Sequence, residues 1–190
     1  MVISCINSGS GGSVALSGNN SYSGGTEVDA GANLSISSAN NIGTGVLALV
    51  GSSTSPATLT TTASMTISNP ITVTGDPVFN VVSGTTTTVS TPIADGSSAG
   101  DVVVSGGGTL ALTGVNTYTG TTSISSGSTL ALTSSGSVAA SSGVVDNGVL
   151  DISGTSAGTS VKAISGSGAV VLGNQNLTVS NASGNLSGDS

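Results

Sequence analysis

The chain has almost no basic character. Lys162 is its whole complement of Lys and Arg, histidine is absent, and eight acidic residues leave a formal net charge of −7. Binding a phosphate backbone takes clustered Lys and Arg, so this balance argues against nucleic acid as a partner. It argues against an anionic membrane surface for the same reason. Without His or Cys clusters the sequence offers no nitrogen and sulfur metal site. It also offers no base beside a Ser or Cys nucleophile.

Aromatics are nearly as scarce: Tyr22, Phe79 and Tyr118, with no tryptophan. A core built around large rings is excluded, and so are the aromatic girdles of a membrane barrel. No apolar run approaches the roughly 18 residues of a spanning helix. Cys5 is alone, forms no internal disulfide and says little about compartment. Val2-Ile3-Ser4-Cys5 has the letters of a lipoprotein cleavage box, but no charged or apolar signal region precedes it. The sequence reads as a piece of a longer chain if it is exported.

What is present is small, neutral and repetitive. Ser and Thr supply 64 residues and Gly another 30, about half the chain. Disorder goes with low hydrophobicity and high charge, whereas here hydrophobic residues reach 36% and charged ones only 5%. They fall in short alternating runs such as VALSG, NLSISS, VLALVG, TLALTG and VLDISG, separated by Gly, Ser, Asn and Asp clusters. That is a strand-and-turn signature, and no stretch carries helical spacing in helix-forming residues. The fold class is all-β.

Two stretches match without a gap. GGSVALSGNNSYSGGTEVDAGANLSI, from Gly11 to Ile36, returns as GGTLALTGVNTYTGTTSISSGSTLAL from Gly107 to Leu132 at an offset of 96 positions, with 11 of 26 pairs identical. Such self-similarity indicates a repeat architecture. A narrow β-solenoid suits the composition, because stacked coils align equivalent side chains and penalise like charges facing one another. At roughly 20–30 residues per coil the chain makes about seven or eight coils, and the offset spans several of them. One continuous solenoid over 1–190 is expected, with long repeat units at 11–105 and 107–190. Gly106-Gly107-Gly108, the nearest thing to a linker, abuts a strand on both sides. Pro56, Pro70, Pro77 and Pro92 are expected at strand starts, bends or turns.

Both copies resemble the passenger-associated transport repeat, also called the autotransporter-associated β-strand repeat, whose pattern is approximately G-T-L-x-L-[ST]-G-x-N-[ST]-Y-[ST]-G-x-T-x-[IV]-x-x-G-x-L. The family's Gly-Gly after the tyrosine is kept at Gly24-Gly25 and becomes Gly120-Thr121 in the second copy. NPITVTG, SGSVAASSGVVDNGVLDISG and ISGSGAVVLGNQNLTVSNASG are similar to such passengers as well. The resemblance implies a right-handed single-stranded parallel β-helix, in keeping with the general handedness of parallel crossovers. It implies a stalk segment of an autotransporter passenger, displayed at the surface of a Gram-negative bacterium or secreted, and supporting secretion and folding. In the parent chain it implies a signal peptide before and a translocator barrel after. Host surfaces or glycans are the partners it implies for the full-length protein. The segment itself is expected to be monomeric, not inserted in a membrane, without cofactor and without enzymatic activity.

The candidate residues are those of the repeat. Asn20, Tyr22, Gly24 and Gly31 correspond to Asn116, Tyr118, Gly120 and Gly127. Asparagine at such positions bonds turn backbone, the glycines supply positive φ or close approach, and the tyrosines cover a coil corner. The competing reading of the tyrosines is stacking on sugars in an adhesin segment. A reading of lower weight is ice binding through Thr58-Leu59-Thr60, Thr72-Val73-Thr74 and Thr86-Thr87-Thr88. For catalysis the residues offer little. GTSAG at Gly154 to Gly158 fits a nucleophile pattern only by letters. Of the carboxylates, Glu27 and Asp29 become Ser123 and Ser125 in the second copy, and Asp146 and Asp151 are merely close in sequence. The aspartates show no nine-residue calcium rhythm.

Overall fold

The structure is a computed structural model that describes residues 12–181; Cys5 and its tetrapeptide lie outside them. Val, Ile, Leu and Thr alternate with small polar residues, and branched side chains pack well on a half-buried pleated surface. The chain accordingly forms short strands, and every pairing between them is parallel. The described helical content is one 3-10 turn, Ala39–Ile42.

The strands stack into about eight coils of a parallel β-solenoid. A first sheet of eight strands runs from Ser13–Leu16 through Asn33–Ile36, Thr58–Thr61, Val78–Val81, Val102–Ser105, Thr122–Ile124 and Val144–Asp146 to Ile164–Ser165. A second, six-stranded sheet holds Met65–Ile67, Thr86–Val89, Thr109–Leu112, Thr129–Ser134, Val149–Thr155 and Ala169–Val171. A third, four-stranded sheet holds Thr26–Val28, Leu47–Val50, Ile71–Gly75 and Ile93–Gly100. In the last two coils a two-stranded sheet of Thr159–Val161 and Leu177–Val179 follows in the same place along the chain.

Register gives the coil length directly. Ser13 pairs with Asn33, Asn33 with Thr58, Thr58 with Val78 and Val78 with Val103. These four steps alternate between 20 and 25 residues, and the later steps on the same sheet are 20, 22 and 20, all within the expected range. The interior is filled rung by rung. Leu34, Leu59, Phe79, Val104 and Ile124 form one inward ladder, and Leu110, Leu130 and Leu150 another. Each fully buried aliphatic side chain contributes on the order of 1.5–3 kcal/mol. Two of the three aromatics, Phe79 and Tyr118, are themselves among the largest fully buried side chains. Scarcity of rings therefore left the core aliphatic without keeping the rings out of it.

Polar side chains also form ladders. On the outside of the first sheet, Asn33 Nδ2 donates to Ser13 Oγ at 3.4 Å and Thr60 Oγ1 to Asn33 Oδ1 at 2.8 Å. Asn80 Nδ2 then donates to Thr60 Oγ1 at 3.2 Å and Ser105 Oγ to Asn80 Oδ1 at 3.4 Å. Inside, the Thr61 and Thr87 hydroxyls satisfy each other at 2.6 Å. The prolines sit where the ladder does not need their missing N–H: Pro70, Pro77 and Pro92 directly precede Ile71–Gly75, Val78–Val81 and Ile93–Gly100, and Pro56 lies just before Thr58–Thr61.

The two sequence copies occupy different faces of the solenoid. In the first, Ser13–Leu16 lies on the first sheet, Thr26–Val28 on the third and Asn33–Ile36 again on the first. In the second, Thr109–Leu112 lies on the second sheet, Thr122–Ile124 on the first and Thr129–Ser134 again on the second. Four coils above Ser13 stands Val103, whereas the sequence equivalent of Ser13 is Thr109, one face further on. The 96-residue offset is thus four coils and one face.

Candidate functional site: the asparagine–tyrosine turns

Each copy leaves one strand, crosses a face of the solenoid without forming a strand there, and enters the next face. The crossing is made by SGNNSYSGG in the first copy and TGVNTYTGT in the second. A loop that replaces a strand loses its ladder of backbone bonds, and buried backbone groups need other partners. The asparagine and tyrosine supply them.

In the second copy Asn116 is 2% exposed and ties three coils together. The Ile93 N–H in the coil below donates to Asn116 Oδ1 at 2.8 Å. Asn116 Nδ2 donates to Ser137 O in the coil above at 2.9 Å and to Gly114 O in its own turn at 3.1 Å. The Thr117 and Tyr118 N–H groups converge on Ile93 O at 2.8 and 3.3 Å. In the first copy Asn20 Nδ2 donates upward to Asn41 O at 2.6 Å and to Ser17 O at 3.4 Å. Asn41 and Ser137 are equivalent under the repeat offset, so the upward bond is common to both copies.

The tyrosines share a partner that the sequence reading passed over. Tyr22 OH lies 2.8 Å from Thr26 Oγ1, and Tyr118 OH lies 2.7 Å from Thr122 Oγ1. Both threonines are buried. Thr122 Oγ1 donates to Ser141 Oγ at 3.0 Å, and Ser141 Oγ reaches Gly120 O at 2.8 Å. In the first copy Thr26 Oγ1 donates to Ile42 O at 3.1 Å. Tyr and Thr four residues apart are identical in both copies, and that was the available signal. Tyr118 is 0% exposed, so it belongs to the core and presents no ring face to a sugar. Burial pushes its phenol well above the usual tyrosine value; the Thr122 hydrogen bond works against this, and the charge of Asp101 adds to it. Tyr22 is half-buried.

The glycines divide by role. Gly31 and Gly127 take positive φ, 79° and 78°, as residues at the tight turns into Asn33–Ile36 and Thr129–Ser134. Gly120 has no positive φ but is required by space: a Cβ there would run into Asp101 Oδ1 and the Gly100 carbonyl. At Gly24-Gly25 the left-handed residue is Gly25, with φ 89°, and not Gly24, which is exposed. The left-handed residue thus comes one position later than expected, and a Cβ at Gly25 would also press against the Val46 backbone.

The remaining sequence candidates are dispersed. The three Thr-x-Thr segments lie on the first, third and second sheets respectively, so they share no plane. Asp146 and Asp151 belong to strands on different sheets. Gly154 and Thr155 end a strand and Ser156 is exposed, with no helix following. Glu27 and Asp29 do come together on the outer surface: partial burial pushes Glu27 up, and a hydrogen bond and the charge of Asp29 push it further. Among the described residues no three of His, Cys, Asp and Glu converge as a metal site. A recess of about 630 Å³ between the last coils is lined by Ser134, Ser137, Ser156, Thr159 and Asn176 among others. It offers hydroxyls and amides and no titratable group.

Comparison with curated proteins and with solved structures gives no match. A family profile described as Passenger-associated-transport-repeat matches residues 9–32 and 102–137. These segments contain both asparagine–tyrosine turns, and the chain therefore carries two copies of the repeat found in autotransporter passengers.

Proposed function

We propose that this chain is a stalk segment of an autotransporter passenger, a rod that helps the passenger fold outside the membrane and holds other parts at a distance from it. The observation carrying this reading is where the repeat's signature side chains go. Asn116, Tyr118 and Thr122 are spent inside the wall of the solenoid, joining adjacent coils, and leave nothing over for a ligand. A solenoid contacts only neighbouring coils, so folding can start at one end and propagate without an energy source. A chain that crosses a membrane unfolded suits this logic, and the scarcity of charge and cysteine is compatible with it. The role includes no catalysis. In the parent chain a translocator barrel would be the covalent partner, and the location would be the cell surface or the medium.

The test is an export assay in which the segment is placed between a signal peptide and an autotransporter barrel, with an epitope at its outer end. Surface epitope that resists protease is expected for the unaltered segment, with a clear drop for Asn116→Ala and Tyr118→Ala. Equal protected display from a scrambled segment would remove the proposal. An adhesin role for the same segment would instead appear as selective signal on a glycan array, lost in Tyr22→Ala, the one repeat tyrosine with an exposed part.

A further inference from the structure

The third face of the rod is interrupted. Its four-stranded sheet ends with Ile93–Gly100, and strands return only as Thr159–Val161 and Leu177–Val179. The coils between them cross from the second sheet to the first as turns. A ladder broken in this way leaves space beside it, and the recess of about 630 Å³ lies where strands resume.

The recess collects side chains that the fold does not use. Ser134, Ser156, Ser160, Asn176 and Thr178 line it, and none of these side chains hydrogen-bonds another described residue. Their neighbours differ: Ser135 Oγ donates to Thr113 O at 2.8 Å, and Ser137 Oγ accepts the Ala139 N–H at 3.2 Å. Ser134 is the most telling of the five. Its φ is 57°, and every other described residue with positive φ is a glycine. Glycine takes that conformation without strain, whereas a Cβ makes it costly. Within the protein Ser134 contributes its carbonyl, which accepts the Ser156 N–H at 2.8 Å, and a glycine would supply the same bond. Its side chain is exposed at the recess. A strained conformation kept at a cavity, with a hydroxyl unspent, is the mark of a group held for a ligand.

The lining also says which ligand. No charged side chain lines the recess, so an anion would find no Lys or Arg and a cation no carboxylate. The net charge of −7 further disfavours anions. An apolar molecule would cover hydroxyls and amides without pairing them, which is costly. A neutral molecule that both donates and accepts hydrogen bonds along its length satisfies them all, and the volume suits a small-ligand site of about 300–1,000 Å³. We propose that this recess binds a neutral oligosaccharide through Ser134, Ser156, Ser160, Asn176 and Thr178. The site uses none of the repeat's signature side chains and stands apart from the stalk role.

The experiment is an amide NMR titration of the 190-residue chain with three neutral trisaccharides, maltotriose, chitotriose and globotriose, in separate arms. Inorganic phosphate and calcium chloride form the charged arms. Saturable millimolar shifts at residues 134, 156, 160 and 176 are expected with at least one trisaccharide and with neither ion. Ser134→Gly should unfold in urea no earlier than the unaltered chain, yet weaken binding by about three-fold or more, as the loss of a neutral hydrogen bond would. Asn176→Ala, a change at an exposed side chain, should weaken binding similarly. Tyr22→Ala, in the first coils, should leave it unchanged. Saturation with none of the three sugars, saturation by phosphate or calcium in their place, full affinity in Ser134→Gly and Asn176→Ala, or loss in Tyr22→Ala would each overturn the proposal.

Discussion

Asn116 bonds both the coil below and the coil above, whereas Asn20 bonds its own turn and the coil above. Alanine at 116 leaves the Ile93 N–H buried without an acceptor, while alanine at 20 strands no donor and frees only the Asn41 and Ser17 carbonyls. Stranding a buried donor costs about 1–3 kcal/mol on top of the lost bonds. Asn116→Ala should therefore destabilise by about 3 kcal/mol and Asn20→Ala by about 1 kcal/mol or less, read from urea unfolding midpoints. Equal losses would mean that the cross-coil bond to Ile93 carries no weight. The sequence made both asparagines and both tyrosines legible as a pattern. It did not make their burial legible, because exposure depends on coils more than 20 residues away in the chain.

Tyr118 gives a second residue-scale prediction. Its phenol is raised by burial, so the folded chain holds the proton more tightly than the unfolded one. The stability linked to it is complete below the unfolded tyrosine value of about 10 and is lost as pH rises beyond that. Alkaline unfolding monitored by circular dichroism should begin near that pH in the unaltered chain. Tyr118→Phe should lose little at neutral pH, since Thr122 keeps Ser141, and should show a shallower alkaline slope. An identical slope in the variant would assign the alkaline transition to another group.

At the scale of elements, the strand Ile93–Gly100 shows what the sequence pattern concealed. Its register slips between Asp95 and Gly100, and the residues between bulge outward. Asp95 fastens the bulge: Oδ1 accepts the Gly100 and Thr119 N–H groups at 2.9 and 3.0 Å, and Oδ2 accepts Thr119 Oγ1 at 2.7 Å. Desolvation pushes this carboxyl up, but the bonds from Thr119 and Gly100 outweigh it and hold it below its ordinary value. The sign is that of a lowered carboxylate: the fastening is complete above the unfolded value and fails as pH falls through the folded one. Amide exchange at Gly100 and Thr119 should quicken in acid and in Asp95→Asn at neutral pH, with little change at the far coils. On the neighbouring corner Asp101 is shifted the other way, by burial first and by the charge of Asp76 as well, against the Thr121 N–H bond. Asp76→Asn should bring the Asp101 carboxyl down, as followed by its carbon chemical shift. Sequence alone named the strands and the proline positions. It blurred the faces, because the steps from coil to coil vary between 20 and 25 residues and no single period survives such a mixture.

The whole molecule is a one-dimensional stack, and its stability should be distributed accordingly. Central coils are covered on both sides: Val102, Val104, Leu110, Leu112 and Tyr118 are fully buried. In the last described coil Val170 and Val171 stand 38% and 42% exposed although their strand is hydrogen-bonded to the one below, and Leu172 just beyond the strand is 41% exposed. Backbone pairing is thus kept at this end while the apolar contribution is mostly withheld. Hydrogen exchange read by mass spectrometry should give the slowest amides in Val102–Ser105 and Thr109–Leu112 and far faster ones in Ile164–Ser165 and Ala169–Val171, with a graded fall between. A single common rate would mean that the rod unfolds as one unit and that nearest-neighbour coupling is stronger than its parts.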